Sequence, residues 1–122
     1  MKPAIQRALA QQDIERAFEH YLAVASAAIA TRFVLEIDAC MQRIERFSGA
    51  GSPRYAELLD IEGLRFAVVE QFPYLLFYFE QQDHVDVVRL LHQRQDVPAI
   101  FAEDEASSKI KTPPIETTGG VD

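Results

Sequence analysis

A chain of 122 residues, 48% of them hydrophobic, has the length for one domain with one modest core and is too apolar to be disordered throughout. Its net charge of −7 excludes broad, nonspecific nucleic-acid binding, which needs an excess of lysine and arginine, yet leaves room for a local basic patch. No apolar run approaches the ~20 residues that span a bilayer. The opening MKPAIQRALAQQD lacks the apolar stretch of a secretory signal, and the single cysteine, Cys40, excludes an internal disulfide. Both features fit a cytoplasmic protein, with Cys40 read as a buried thiol.

Residues 3–7 form either a short first strand or a loose lead-in, and as a strand they can pair only with strands later in the chain. Over residues 8–25, Ile14, Ala17, Phe18, Tyr21, Leu22 and Ala25 recur at three- and four-residue spacing, which predicts a helix. Ser26 interrupts the pattern as an N-cap. A second helix is predicted over 27–47, with Ile29, Phe33, Ile37, Cys40, Met41, Ile44 and Phe47 as its apolar stripe. Gly49, Gly51 and Pro53 end it. So short a connection makes the two helices an antiparallel hairpin. One helical turn is predicted over 55–59. Three apolar runs follow, at 64–69, 74–80 and 85–91, separated by Gln71-Phe72-Pro73 and Gln81-Gln82-Asp83. Connections this tight make the runs an antiparallel meander, because parallel neighbours need a long crossover. From Glu103 the chain turns polar and acidic, and residues 103–122 are expected to form a disordered tail on a domain of residues 1–102.

The fold class is therefore α+β: an N-terminal antiparallel helical hairpin packed on one face of a small antiparallel sheet, with the other sheet face left available to a partner. Strand alternation puts Phe77 and Phe79 on one side and Tyr74 and Tyr78 on the other. The phenylalanines are assigned to the core and the tyrosines to the outer, partner-facing side. On the hairpin, Phe18, Tyr21 and Val24 cannot all point at the sheet, so a residual apolar strip should remain for an amphipathic segment.

The segment ALAQQDIERAFEHYLAVASAAIATRFVLEI resembles the helical hairpin of the ParE and RelE toxin superfamily of bacterial type II toxin–antitoxin systems, with Ala10, Asp13 and Tyr21 at its recurring alanine, acidic and tyrosine positions. FPYLLFYFEQQDHVDVVRLLHQRQDVPAIF is similar to that superfamily's closing hairpin: aromatic residues on one strand, valines on the next, then a histidine and a short basic stretch, here His92, Gln93 and Arg94. GSPRYAELLDIEGLRF resembles the loop leading into the meander, including its arginine, Arg65. The likeness covers residues 5–101. It implies a growth-inhibiting toxin neutralised by a cognate antitoxin. ParE-like members inhibit DNA gyrase by binding it, and RelE-like members cut mRNA on the ribosome. Antitoxin contacts are expected at Phe18, Tyr21, Val24, Tyr74 and Tyr78, and target contacts at Arg65, Arg89, His92 and Arg94.

An RNA-cleaving site needs a base, an acid and cations that stabilise the charged phosphorus centre. Arg65, His92 and Arg94 are the candidates, with Arg89 as a further cation and Tyr78 as a remote option. Alternation places Arg89 with Leu91 and His92 with Leu90, so Arg89 and His92 share a site only if the strand ends or bulges between them. Lys2, Lys109 and Lys111 all lie near the termini, and basic residues are otherwise sparse. That favours a ParE-like, non-enzymatic toxin over a RelE-like endonuclease; a diverged, non-toxic interaction protein is the third reading. The plainer roles are a locally hydrogen-bonded strand-end ring for His92, an ion pair to Glu62, Glu70 or Asp86 for Arg65, solvation for Arg94, and surface positions for His20 and His84. Metal-ligand spacing, a phosphate-binding glycine loop and a Ser-His-Asp set are not evident in the sequence, so no cofactor or metal is expected.

Overall fold

The structure is a computed structural model that describes residues 1–106. Helix α1 (Ala8–Val24) and helix α2 (Ala27–Arg46) are separated by Ser26, whose hydroxyl accepts a hydrogen bond from the Ile29 N–H at 3.1 Å. This is the N-cap expected from the sequence, and Arg43 and Arg46 in the last turn of α2 complement its dipole. A 3-10 turn (Ser48–Ala50) leads into the short helix α3 (Arg54–Leu59), and the chain turns at Asp60 (φ 56°) and Gly63 (φ 85°) into the sheet.

The sheet has the order β1-β4-β3-β2, with β1 Ala4–Gln6, β2 Leu64–Val68, β3 Tyr74–Glu80 and β4 Val85–His92. The last three strands form the expected antiparallel meander, and the N-terminal segment joins as a short strand parallel to β4, making the sheet mixed. Phe77 stands opposite Arg89 but Tyr78 stands opposite Val87, so Val88 is the extra residue of a bulge. Alternation slips there: Val87 and Leu90 face the hairpin, whereas Val88 and Leu91 face the other way.

Two apolar layers result. On one face Phe33, Ile37, Cys40 and Ile44 of α2 and Ala10 and Ala17 of α1 pack on Tyr74, Leu76, Tyr78, Val85, Val87 and Leu90. On the reverse, Leu75, Phe77, Phe79, Val88 and Leu91 are covered by Ile61 and by Val97 and Phe101 of a fourth helix, α4 (Val97–Ala106). Burying one such large side chain contributes about 1.5–3 kcal/mol.

Three expectations are corrected by this arrangement. The reverse face of the sheet is a second core rather than an open surface. Tyr74 and Tyr78 are not on an outer face: both lie buried beneath the helical hairpin, and Phe77 and Phe79 fill the second core. The expected tail boundary at Glu103 falls inside α4, which starts after Asp96, whose carboxylate accepts from the Ala99 N–H at 3.1 Å. The remainder of the expected tail, residues 107–122, lies outside the described residues.

The sheet edges are closed by other groups. Beyond the end of β1, the Leu90 N–H donates to Asp13 at 3.0 Å. On β2, Phe66 pairs with Ser52, and the Val68 carbonyl accepts from Arg43 at 3.0 Å. Cys40 lies beneath this edge, and burial, with Arg43 opposing it, pushes its thiol up to about 11.

Tyr78 ties the loop after α2 to the core. Its hydroxyl donates to the Ser48 carbonyl at 2.8 Å and accepts from the Gly51 N–H at 3.1 Å. A Cβ on Gly51 would sit 2.2 Å from that hydroxyl oxygen and 3.0 Å from the Phe66 carbonyl oxygen. Gly51→Ala is therefore expected to cost about 2–3 kcal/mol, because the ring cannot move within a packed layer. Gly49→Ala, whose Cβ meets nothing closer than 3.9 Å, should cost less than about 1 kcal/mol. Urea unfolding of the two variants checks this; equal losses would mean that the Tyr78 contact is not what limits the site.

Candidate functional site

The free end of β4 is built from local hydrogen bonds. The His92 N–H donates to the Gln95 side-chain oxygen at 2.7 Å, and the Arg94 N–H donates to His92 Nδ1 at 3.0 Å. With Nδ1 accepting, the neutral ring carries its proton on Nε2. The ring is held edge-on against Tyr74, with centroids 5.1 Å apart. Burial, with Tyr21 alongside, pushes the Tyr74 phenol up to about 12, so it remains a neutral hydroxyl. His92 thus has the locally bonded strand-end position read from the sequence, and Arg94 beside it is exposed.

The two other candidate arginines, Arg89 and Arg65, are spent on the fold. Arg89 is buried and bonds two carboxylates at once: Nε and Nη2 donate to Asp13 at 2.7 and 2.9 Å, and Nη1 donates to Asp104 at 2.7 Å. Burial opposes its charge, but the two aspartates outweigh burial and raise its pKa. Arg65 donates from Nη1 to the Gly51 carbonyl at 2.7 Å, holding the same loop as Tyr78. Two of its three expected carboxylate partners are engaged elsewhere or only loosely placed: Asp86 is paired with Arg7 at 2.6 Å, and Glu70 lies 3.9 Å from Arg43. Arg65 stands opposite Tyr78 and His92 opposite Tyr74, so four residues of β3, roughly 13 Å, separate them. Arg65, Arg89 and His92 therefore do not assemble into one site. The bulge lies before Arg89, so the register from Arg89 to His92 is regular and alternation places the two on opposite faces of β4, with Arg89 bonded to Asp13 and Asp104.

What surrounds His92 instead comes from α1. Arg16, Ala17 and His20 line a cleft of about 330 Å³ together with Asp13, Tyr74, Leu90, His92 and Gln95. His20 is exposed, as expected. Its grouping with Arg16 and His92 was missed by sequence reasoning, although the spacing of Asp13, Arg16 and His20 places them along one side of α1.

The expected partner-facing residues of the hairpin divide. Tyr21 turns inward, its ring centroid 5.4 Å from that of Phe33 and 5.3 Å from that of Phe72. Phe18 is half-buried and lines an outer groove of about 370 Å³ with Ile14, Leu22 and Val34, rimmed by Glu15 and Glu19. Val24 is 65% exposed near the hairpin tip, beside exposed Leu22 and Ile29.

The family described as "ParE toxin of type II toxin-antitoxin system, parDE" matches residues 5–97, most of the chain. The chain belongs to the ParE toxin family. Among solved structures, one titled "Chromosomal ParDE TA system from P. aeruginosa" is similar, with a TM-score of 0.63 at 18% identity, over 75% of this chain and 96% of that one. At that identity the likeness establishes a shared fold. No curated protein matches the sequence. The ParE-family match runs from Ile5 to Val97, so it takes in the hairpin and all of the sheet but Ala4, and stops at the first residue of α4. Among the described helices, none is long and apolar enough to cross a membrane.

Proposed function

We propose that this ParE-family chain is the cytoplasmic toxin of a type II toxin–antitoxin pair, and that it acts by gripping its target rather than by cutting RNA. The reading is carried by the fate of the cations: Arg89 and Arg65 are committed to internal bonds, and neither stands with the one strand-end histidine. The two cations that a cleaving site was expected to draw from β4 and β2 are therefore not free to meet a phosphodiester beside His92. DNA gyrase is the proposed target, in line with the ParE resemblance, with His92 and Arg94 as contacts on the free end of β4. The antitoxin is proposed to lay an amphipathic helix along the α1–α2 groove, anchoring on Phe18 and Leu22 and extending towards Val24. Its basic side chains would meet Glu15 and Glu19 at the rim.

Expression without the antitoxin should stop growth, and the purified protein should inhibit DNA supercoiling by gyrase while cellular transcripts stay intact. Transcript cleavage on ribosomes with normal supercoiling would instead favour the RelE-like reading, and unhindered growth would favour a diverged interaction protein. Leu22→Glu, a change at a half-exposed position, is expected to weaken antitoxin binding by roughly 30-fold or more, the loss of one buried anchor, while leaving toxicity in place. Binding measured by calorimetry against the protein encoded beside this chain checks the groove.

A further inference from the structure

The cleft at the free end of β4 has a one-sided hydrogen-bond inventory. Ala17 contributes only a methyl group where α1 crosses Leu90 and Tyr74, and this small side chain leaves the space open. Arg16 and His20 stand one helical turn apart on its α1 side, and His92 and Gln95 come from the strand end. Asp13 is the one carboxylate among the described lining residues, and both of its oxygens are engaged. Oδ1 accepts from Arg89 at 2.9 Å, and Oδ2 accepts from Arg89 at 2.7 Å and from the Leu90 N–H at 3.0 Å. The Gln95 oxygen is taken by the His92 N–H, which leaves its amide NH₂ as a donor. His92 Nδ1 is taken by the Arg94 N–H, which leaves the Nε2–H. Arg16 adds a permanent cation. Donors therefore outnumber uncommitted acceptors in a hollow large enough for a small ligand.

We propose that this cleft binds the phosphoryl group of a small ligand, with Arg16 as the charge anchor and His92 Nε2–H, the Gln95 amide and His20 as the surrounding donors. A tetrahedral phosphoryl group presents three oxygens in three directions, which suits donors arriving from both a helix and a strand end. A carboxylate presents two oxygens in one plane and suits a single planar fork. Free phosphate and the terminal phosphate of a nucleotide share this chemistry. The site does not depend on the toxin reading, because its measurement is ligand binding by the isolated chain.

The test is an NMR titration of the full chain at pH 7 and constant ionic strength, following the imidazole and side-chain amide resonances. The probes are inorganic phosphate, adenosine monophosphate and, as the carboxylate arm, acetate. Saturable shifts at His92, His20 and Gln95 with both phosphate probes are expected. Arg16→Gln, at an exposed helix position that leaves the core untouched, should weaken binding roughly tenfold, the worth of one charge-assisted contact. Tighter binding of the nucleotide than of phosphate assigns the source as a nucleotide, and equal binding assigns it as free phosphate. Shifts that do not saturate, acetate binding as tightly as phosphate, or unchanged affinity in Arg16→Gln would each overturn the proposal.

Discussion

Arg89→Ala is expected to lower the unfolding free energy by about 3–5 kcal/mol, the usual consequence of removing one partner from a buried ion pair and leaving the other uncompensated. Here the loss strands two carboxylates, Asp13 on α1 and Asp104 on α4, both nearly inaccessible to water. One guanidinium joins three elements, so its removal loosens the hairpin and the reverse-face helix together. A domain of this size has about 5–15 kcal/mol in total, so the variant should lose a large share of its stability. Equilibrium urea unfolding followed by circular dichroism measures the change. A loss below about 1 kcal/mol would mean that water reaches the carboxylates and that the triad is a surface feature. Asp104→Asn keeps the Asp13 pair and should cost less than Arg89→Ala, which separates the two arms.

The pH dependence that Arg89 itself contributes follows from its raised pKa. A base whose pKa is higher in the fold contributes fully below its unfolded value and loses that contribution only as pH rises through the folded value. The guanidinium arm is therefore constant across the neutral range and fades only in strong alkali. Glu80 runs the opposite way. The Ser48 hydroxyl, and after it Lys2, hold its carboxyl below the usual range against a modest burial penalty. Its contribution is present above the ordinary carboxylate pKa and disappears as pH falls through the lowered one. More than a third of the Glu80 side chain is exposed, so that arm stays under about 1 kcal/mol.

The legible parts of the fold were those written in local periodicity. The 3.6-residue recurrence of Phe33, Ile37, Cys40 and Ile44 marked the buried stripe of α2 and Ser26 its start, although Ile29 and Phe47 at the ends of the expected stripe are exposed. Pro73 and the Gln81–Asp83 turn delimited the strands. Alternation failed on β3 because every residue from Tyr74 to Phe79 is buried, so no polar side identifies the outer face. A continuous apolar run of that kind marks a strand covered on both faces, and it was the available signal for the second core. In α4, Asp96 followed by Val97, Ile100 and Phe101 has a cap and helical spacing, but the acidic residues after it read as tail. Arg89 amid valines and leucines was legible as an anomaly. Its partner Asp13 lies 76 positions away, beyond the reach of any local pattern. Tyr78 and Gly51 likewise meet only across the fold, so the dependence of one on the other was invisible.

The second core makes the status of α4 measurable. Phe101 is buried against Phe77, with ring centroids 5.0 Å apart at 67°, and Phe77 in turn meets Tyr55 and Phe66. Phe101→Ala should therefore empty a ring-sized space at the centre of this layer and cost about 3–5 kcal/mol. If α4 were an appendage resting on a self-sufficient sheet, truncating its main contact would cost under about 1 kcal/mol, because the helix would simply lift off into water. These outcomes differ in hydrogen exchange as well as in magnitude. An integral helix spreads faster exchange from α4 into β3 and β4, since Phe77 and Leu91 lose the layer that covers them. An appendage confines it to residues 97–106. The integral outcome is favoured by the ion pair from Arg89 to Asp104, which fastens α4 at the end opposite its cap. It would place the ParE-family sheet between two structural layers and leave the hairpin groove and the free end of β4 as the surfaces open to partners.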